Sequence, residues 1–431
     1  DRFGRAVEKR QSTNLPGQPV SFNVTKYRYD DQGNILLAMN CDEQGKATAI
    51  SQFYYDKEGN KLREYTGMTE PLLITGLDQI SGNSNYSVTK YEYDDANRLI
   101  KEIDPLGHEQ TYSYDQLGNL CEICDRNGIK TKYTYIDGLF LESKQVYVPG
   151  NHSNEPDEET WLWQKEFHGQ NMLWKIENGD TFIEKSYDEG LNLQSETDSL
   201  GITTQYLYNE NEEIVGLELW AGSHLLNEVR YESAEGNRLF KVYSNGDNLE
   251  ATYELDPFGK ILKETFANGV TNIYTYALSG YLTTMDSYDA NDHLDFSYHY
   301  RYKTNGQLVE TVDNISGLCT RYEYDSAARL SAVQSCQNEQ QFNKLSFTYD
   351  SKGNRTKITN AATTKQNSYD NNNRLRTADG VTVNYDSQGN IISFGNAYYR
   401  YDANNRLIAY RYNDIQVDYT YGTDGLLYSR S

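Results

Sequence analysis

A tyrosine–aspartate pair followed by a short turn recurs along almost the whole chain of 431 residues. An early copy runs from Tyr55-Asp56 to Gly59-Asn60. The copies are spaced by roughly 16 to 26 residues. Such a repeat restricts the fold more than any other feature, because each copy must adopt the same local structure and be stabilised by its neighbours. The turn residues of the strong copies are Tyr29, Asp30, Gly33, Tyr55, Asp56, Gly59, Tyr93, Asp94, Tyr114, Asp115, Gly118, Tyr324, Asp325, Tyr349, Asp350, Gly353, Tyr369, Asp370, Tyr385, Asp386, Gly389, Tyr401 and Asp402.

Each copy predicts a β-hairpin. Before the turn, tyrosines alternate with polar residues, as in Tyr91-Glu92-Tyr93, and a period of two is typical of a strand with its tyrosines on one face. The aspartate can accept hydrogen bonds from backbone N–H groups two residues further on, which closes the turn. Gly or Asn then provides a residue with positive φ. When weaker copies such as Asp256-Pro257-Phe258-Gly259 are included, we expect about 18 hairpins.

These hairpins should pair edge to edge, because a single hairpin is marginally stable in water. Only 37% of the residues are hydrophobic, and that fraction includes 39 tyrosines, which suits sheets with polar faces better than several aliphatic cores. Cross-strand tyrosine contacts would each contribute roughly 0.2–1 kcal/mol. We therefore predict an all-β fold with one long antiparallel sheet and a single domain over residues 1–431, with loop insertions near residues 11–21, 67–88 and 148–160.

Charge and motif content exclude several classes of function. The net charge of −23 disfavours nucleic acid and anionic membranes as partners, and no apolar run is long enough to span a membrane. Five cysteines do not form a disulfide framework, and Cys121 and Cys124 would point to opposite faces of one strand. Scattered histidines and the absence of known catalytic motifs predict no catalytic residue, no cofactor and no metal. The chain begins at Asp1, without Met, so we expect a piece of a longer polypeptide.

The units Tyr-Asp-x-x-Gly-Asn-x-Leu and Tyr-Asp-x-x-x-Arg-Leu resemble the YD repeats of Rhs (rearrangement hotspot) proteins, which also occur in bacterial toxin-complex components and animal teneurins. The resemblance covers nearly the entire chain, and it implies that the sheet spirals into a hollow β-shell, here a partial one. Bacterial members commonly end the shell with an Asp-Pro-x-Gly segment and self-cleavage. Here that string occurs only in mid-chain, at Asp104 and Asp256, and is better explained as an ordinary turn.

The resemblance implies a container and not an enzyme. The leading hypothesis is a structural, encapsulating shell of a polymorphic toxin-like protein, which encloses an effector polypeptide outside this chain. Its partners would be that effector or remaining shell segments of the same protein. The protein would be secreted, at the cell surface or delivered by a bacterial secretion system. The alternative is a teneurin-like adhesion module that binds cell-surface glycans through the exposed aromatics Trp161, Trp163, Trp174 and Trp220.

Overall fold

The computed structural model describes residues 3–12, 22–42, 44–71, 86–136, 138, 140–147, 161–168, 172–178, 181–234, 239–337, 340–422 and 425–431. Within these ranges it contains 37 β-strands, with turns between them and no helix. The predicted all-β fold of tandem antiparallel hairpins is therefore confirmed. Thirty-seven strands agree with the expectation of about 18 hairpins.

The strands follow one another with short connections. In chain order they are β1 Glu8–Ser12, β2 Phe22–Tyr29, β3 Ile35–Cys41, β4 Ala47–Tyr55, β5 Lys61–Met68, β6 Ser87–Tyr93, β7 Leu99–Ile103, β8 Glu109–Tyr114, β9 Leu120–Cys124, β10 Lys130–Ile136, β11 Phe140–Tyr147, β12 Trp161–His168, β13 Met172–Asn178, β14 Thr181–Tyr187, β15 Leu193–Asp198, β16 Ile202–Tyr208, β17 Ile214–Ala221, β18 His224–Ala234, β19 Leu239–Ser244, β20 Asn248–Leu255, β21 Ile261–Phe266, β22 Thr271–Tyr276, β23 Leu282–Tyr288, β24 Leu294–Tyr302, β25 Leu308–Asp313, β26 Leu318–Tyr324, β27 Leu330–Gln337, β28 Gln340–Tyr349, β29 Arg355–Thr359, β30 Thr364–Tyr369, β31 Leu375–Ala378, β32 Val381–Tyr385, β33 Ile391–Phe394, β34 Ala397–Tyr401, β35 Leu407–Tyr412, β36 Ile415–Tyr421 and β37 Leu427–Arg430.

The strands belong to two compact units. Unit 1 comprises residues 1–130, 301–312 and 317–417, and unit 2 comprises residues 131–300, 313–316 and 418–431. Unit 1 thus combines the beginning of the chain with most of its last quarter. The prediction of a single domain stays a prediction.

Of the predicted loop insertions, residues 13–21, 72–85 and 148–160 lie outside the described residues. Strands occupy the margins of the first two: β1 ends at Ser12, β5 ends at Met68 and β6 begins at Ser87. The insertions predicted near residues 11–21, 67–88 and 148–160 stay predictions.

Pairing follows chain order inside each unit. In unit 1, β1 to β9 form one antiparallel series and β26 to β35 form another. In unit 2, β11 to β24 pair in the same way. A one-residue shift in register occurs at the tyrosine of each strong copy, as at Tyr93, which pairs with Leu99. Such a bulge beside a turn increases the local twist of the hairpin.

Few side chains are fully buried. The cluster in unit 1 consists of Ile50, Tyr65, Met68 and Tyr86, in which the Tyr65 and Tyr86 rings meet edge to face at 5.8 Å. Most other strand residues are half-buried, and β14 is half-buried along its whole length. Partial burial at successive positions is expected of a sheet whose faces are not covered by a second layer. Stability therefore depends on contacts between neighbouring hairpins.

Candidate functional site: facing turns in unit 1

The turn of each strong copy begins with an aspartate that bonds its own backbone. Asp94 Oδ1 accepts the N–H groups of Ala96 and Arg98, each at 2.9 Å. The Asn97 N–H bonds the Asp94 carbonyl at 3.0 Å, and Asn97 has a φ of 62°. This is a turn closed by a residue in the left-handed region, which Gly and Asn adopt at the lowest cost. We call every turn of this geometry an Asp-led turn.

The fifth residue of an Asp-led turn is bonded to the second oxygen of the aspartate. In the Asn form, Asn60 Nδ2 donates to Asp56 Oδ2 at 2.8 Å. In the Arg form, Arg98 donates to Asp94 Oδ2 twice, through Nε at 2.8 Å and Nη2 at 2.7 Å. The Arg98 bonds are the largest cause that lowers the pKa of Asp94 below its ordinary 3.8. The Asn form occurs at Asp30, Asp56, Asp115, Asp188, Asp350 and Asp386, and the Arg form at Asp94, Asp325, Asp370 and Asp402.

Neighbouring turns in the last quarter of the chain are bonded to one another, and the Asn and Arg forms alternate. We call this series, led by Asp325, Asp350, Asp370, Asp386 and Asp402, the second row. In an Arg form, the arginine side chain donates to the backbone carbonyl of the aspartate that leads the next turn. In an Asn form, the asparagine side chain donates to the side chain of the asparagine at the fourth position of the next turn. In order, the bonds are Arg329 Nη1 to Asp350 O at 2.9 Å, Asn354 Nδ2 to Asn373 Oδ1 at 3.0 Å, Arg374 Nη1 to Asp386 O at 3.3 Å and Asn390 Nδ2 to Asn405 Oδ1 at 2.7 Å.

The tyrosine of the pair bonds the preceding hairpin. Tyr114 Oη donates to the Leu99 carbonyl at 2.9 Å, and Tyr385 Oη donates to the Leu375 carbonyl at 2.9 Å. In each case the acceptor is the first residue of a return strand. The Arg98 guanidinium also lies over the Tyr114 ring, 4.7 Å from its centroid. Tyr-Asp therefore combines a bond between hairpins with a bond that closes a turn.

The strands at the start of the chain are also joined by turns at the ends opposite to their Tyr-Asp turns. These include the turns led by Asp104, between β7 and β8, and by Asp125, between β9 and β10, and we call them far-end turns. The second row lies against this side of the early hairpins. We call the contact between the two sets of turns the seam. It joins residues 259 to 285 positions apart in sequence, all of them within unit 1.

One seam contact joins the turns led by Asp125 and Asp386. Asn127 Oδ1 accepts the backbone N–H groups of Ser387 at 2.9 Å and Gln388 at 3.3 Å. The same amide donates from Nδ2 to Asp386 Oδ2 at 3.1 Å. A single asparagine therefore bonds both the donors and the acceptor that the Asp386 turn presents.

A second contact runs in the reverse direction. Asn372, in the second row, donates from Nδ2 to Asp104 Oδ2 at 2.7 Å. Asp104 is 8% exposed and also bonds His108 Nδ1 at 3.0 Å. Burial raises the pKa of Asp104, but the hydrogen bonds from His108 and Asn372 outweigh it and lower the pKa below 3.8. Beside this contact, buried Ser87 donates from Oγ to the Asn371 carbonyl.

A third contact depends on a glycine. Gly67, with a φ of 81°, lies under the aliphatic stem of Lys352, and a Cβ at this position would lie 2.3 Å from Lys352 Cγ. Desolvation at the seam lowers the pKa of Lys352, although Asp350 and Asp370 act in the opposite direction. Cavities of about 560, 300 and 410 Å³ lie along the seam. The seam is therefore a polar contact of turns with gaps between them, and not a continuous apolar interface.

The earlier Asp-led turns form a different set. We call the turns led by Asp30, Asp56, Asp94 and Asp115 the first row. Their two central residues are exposed, and Leu117 is 74% exposed. The central residues of the second-row turns at Asp350 and Asp386 are half-buried instead. The structure thus places each predicted aspartate and glycine in an Asp-led turn and each predicted tyrosine at the end of the strand before it. Only some of these turns are docked.

The asparagines that donate across the seam were not selected from the sequence. Asn127 and Asn372 are each the third residue of an Asp-led turn, and an Asp-x-Asn string marks both. That string was the available signal. The structural role of the Tyr, Asp and Gly residues of the repeats stays a prediction.

The described cysteines include one disulfide-bonded pair. Cys319 and Cys336 form a disulfide between β26 and β27, where they are directly opposite each other. Cys41, Cys121 and Cys124 are free thiols, so Cys121 and Cys124 are not bridged to each other. Two of the five cysteines thus form one disulfide bond, and the other three are free.

The aromatic residues proposed for glycan binding have little support. The Trp220 indole N–H donates to Glu218 Oε2 at 2.9 Å, which occupies its polar group. The side chains of Trp161, Trp163 and Trp174 lie outside the described residues. Within the described ranges, no group of three or more His, Cys, Asp or Glu side chains is arranged to hold a metal ion. Nor does the described part of the chain include a helix with the length and apolarity that a membrane crossing needs.

Two segments of the chain match known family models. Residues 317–430 match the model described as Teneurin YD-shell, and residues 93–123 match the model described as RHS Repeat. The first segment contains all five turns of the second row, and the second contains two turns of the first row. These matches cover the two regions in which the Asp-led turns are most regular.

Two curated proteins are similar to the chain over much of its length. One is the probable deoxyribonuclease RhsB of Dickeya dadantii, 22% identical over 326 residues, covering 71% of this chain and 21% of RhsB. The other is the tRNA3(Ser)-specific nuclease WapA of Bacillus spizizenii, 26% identical over 234 residues, covering 54% of this chain and 8% of WapA. The chain thus spans about a fifth or less of the length of these relatives.

Among solved structures, the TcdB2–TccC3–TEV crystal structure aligns with 97% of this chain and 30% of its own, at a TM-score of 0.44 and 14% identity. The Tc holotoxin pore of Photorhabdus luminescens aligns with 97% and 27%, at a TM-score of 0.40 and 12% identity. The repeated Asp-led hairpins and the two family matches confirm the resemblance found in the sequence: the matched segments are similar to RHS and teneurin YD-shell repeats, and the chain is similar to Rhs proteins over much of its length.

Proposed function

We propose that this chain forms part of the wall of a Rhs/YD-repeat shell and that the wall encloses an effector polypeptide. The observation that carries the proposal is the seam. Hairpins more than 250 residues apart are joined turn to turn, with Asn127 and Asn372 bonding aspartates across the contact. A wall made of a single sheet needs such contacts, because its strands alone leave its rims unattached.

The pattern of burial supports a wall better than a packed domain. The described strands have mostly half-buried residues, and the apolar cluster of Ile50, Tyr65, Met68 and Tyr86 is small. A sheet with both faces accessible can hold a polypeptide on one side without a deep apolar surface to trap it. The charge of −23 would keep such a wall soluble.

The test compares an effector segment with and without its wall. The natural polypeptide that carries this chain would be purified and treated with a protease, in parallel with the isolated segment that follows the repeats. We expect the segment to be cleaved at least about tenfold more slowly within the intact protein, because cleavage requires an opened state. Equal cleavage rates in the two samples would overturn the proposal.

We further propose that the protein acts outside the cytosol that makes it. The disulfide between Cys319 and Cys336 supports this location, because such bonds persist in secreted and cell-surface proteins and are rare in reducing compartments. Protein recovered from culture medium should show three of its five cysteines alkylated without reduction, and mass spectrometry would count them. Five alkylated cysteines would contradict the location.

We also propose that the chain itself is not catalytic, and that the nuclease activity in the names of RhsB and WapA belongs to parts of those proteins outside the matched stretch. The alignment covers only 21% of RhsB and 8% of WapA. The purified chain should leave DNA and tRNA substrates intact with Mg²⁺ present. Cleavage that survives repeated purification would remove this part of the proposal.

A further inference from the structure

The two asparagine contacts of the seam have the same chemistry and opposite directions. In each, the third residue of an Asp-led turn donates from Nδ2 to the Oδ2 atom of the aspartate that leads the facing turn. Asn127 reaches Asp386 at 3.1 Å, and Asn372 reaches Asp104 at 2.7 Å. One donor lies in a far-end turn and the other in the second row. Two independent occurrences show a repeated contact between turns.

We propose that this Asn-to-Asp contact is a recognition element, and that the partner it fits is another Asp-led turn whose fifth residue is not arginine. The contact would determine which far-end turn faces which turn of the second row, and thus the register of the wall. The inference deepens the proposed wall function and rests on it for its biological role. Its geometry belongs to unit 1 alone.

The acceptor turn has one oxygen available. Asp386 Oδ1 is occupied by the backbone N–H groups of Gly389 and Asn390, at 2.9 and 2.8 Å. Asp386 Oδ2 accepts one bond from Asn390 Nδ2 at 2.9 Å, so it retains capacity for a second donor. Asn127 supplies that donor. A neutral amide is suited to this place, since a carboxylate there would repel Asp386.

The Arg form of the turn places a guanidinium beside the same oxygen. Asp94 Oδ2 receives two guanidinium donors from Arg98, and Asp370 Oδ2 receives Arg374 Nε at 2.8 Å. Both docked acceptors have a fifth residue other than arginine: Asn390 at Asp386 and His108 at Asp104. Because Asn and Arg forms alternate along the second row, a slip of one hairpin would place Asn127 against an Arg form. The alternation therefore favours one register.

The same donor position occurs elsewhere in the molecule and provides a matched control. Asn291 is the third residue of the turn led by Asp289, in unit 2, and it is exposed. Replacing Asn291 removes the same side chain from the same kind of turn. It leaves the seam of unit 1 unchanged.

The test measures hydrogen exchange at the backbone N–H groups of Ser387 and Gln388, which Asn127 Oδ1 accepts. In Asn127→Ala, we expect both amides to exchange about five- to tenfold faster, because each loses a bond worth about 1 kcal/mol. Asn390→Arg converts the acceptor to the Arg form and should give the same increase although Asn127 is intact. Asn291→Ala should give none.

Circular dichroism and exchange at β2 to β9 identify any variant that fails to fold, and Asn127→Ser supplies a second, milder variant at the same position. Unchanged exchange in both Asn127 variants would overturn the inference, as would slow exchange in Asn390→Arg. An equal increase in Asn291→Ala would show a general loss of stability and would also overturn it. Protease protection of the effector is a separate measurement. Failure of the proposed Asn-to-Asp recognition and failure of the proposed wall function are therefore distinguishable.

Discussion

The first and second rows of unit 1 have the same turn chemistry and different surroundings. Asp115 in the first row and Asp386 in the second each accept two backbone N–H groups and one asparagine side chain. Only Asp386 also accepts Asn127 from another turn. The Tyr-Asp pair and the fifth residue are thus the same in both turns, so the difference in docking must come from other positions of the turn.

The difference is visible at the third residue. Leu117 in the first row is exposed to solvent, whereas Gln388 at the corresponding position of the second row is half-buried at the seam. The repeat motif does not specify this position. Variable positions of the repeat thus carry the information about tertiary contacts, and the invariant ones carry the local fold.

The largest effect should come from closing the space under Lys352. Gly67→Ala should destabilise unit 1 by about 3–4 kcal/mol, because it combines an unfavourable positive φ with a clash against Lys352 Cγ. Gly353→Ala, with a similar φ of 89° and no atom within 4 Å of its added Cβ, should lose only about 1–2 kcal/mol. Urea unfolding would compare the two, and equal losses would show that the seam does not constrain Gly67.

Reducing the disulfide should have the next largest effect. Cys319 and Cys336 are 17 residues apart, and opening a loop of this size costs about 3 kcal/mol. We expect Cys336→Ser to accelerate hydrogen exchange in β26 to β28 and to leave β6 to β9, in the first row, unchanged. Cys121→Ser, which removes a free thiol, is the control. Uniform acceleration across both rows would mean that the rows do not differ in this respect.

The tyrosine bonds should not distinguish the rows. Tyr114→Phe and Tyr385→Phe each remove a phenol bond of 2.9 Å to a preceding hairpin, and each should cost about 1 kcal/mol. Equal losses in urea unfolding would confirm that this bond belongs to the repeat and not to the seam. A loss more than twice as large in one variant would contradict that assignment.

The smallest expected effect is a decrease in folding stability at acidic pH. The pKa of Asp104 is lowered in the folded chain, so its stabilising contribution is fully present above the unfolded value of 3.8 and is lost as the pH falls through the lower, folded pKa. The urea midpoint should therefore change little through Asp104 between pH 7 and 5 and should decrease below about pH 4. Asp104→Asn should reduce that decrease. An identical pH profile in the variant would show that the seam aspartate does not contribute.

The sequence predicted the local structure well because the repeat determines it locally. Hairpins, the all-β class and the resemblance to YD-repeat proteins follow from the tyrosine period and the turn residues, all within a few residues of each other. The disulfide required more. Tyr324 pairs with Leu330, but the bulge at Tyr324 adds one residue, and only then does Cys319 face Cys336. A register counted without the bulge misses the pair.

The seam could not be predicted in the same way. Asn127 and Asp386 are 259 residues apart, and nothing in either turn specifies that they meet. The Asp-x-Asn string was visible at Asp125 and Asp370, but also at Asp289 in unit 2, which is not part of the seam. Which turns face each other depends on the twist accumulated over many hairpins, a quantity that no short motif contains.

The alternation of Asn and Arg turns in the second row constrains how such a chain can change in length over evolution. Removing the hairpin that carries Asp370 would place two Asn turns side by side, and the bond from Arg374 to the Asp386 carbonyl would have no replacement. Removing two adjacent hairpins restores an Arg turn beside an Asn turn. Recombination should therefore preserve the bonds between neighbouring turns when it inserts or deletes repeats in pairs, so that the unit gained or lost is a double hairpin.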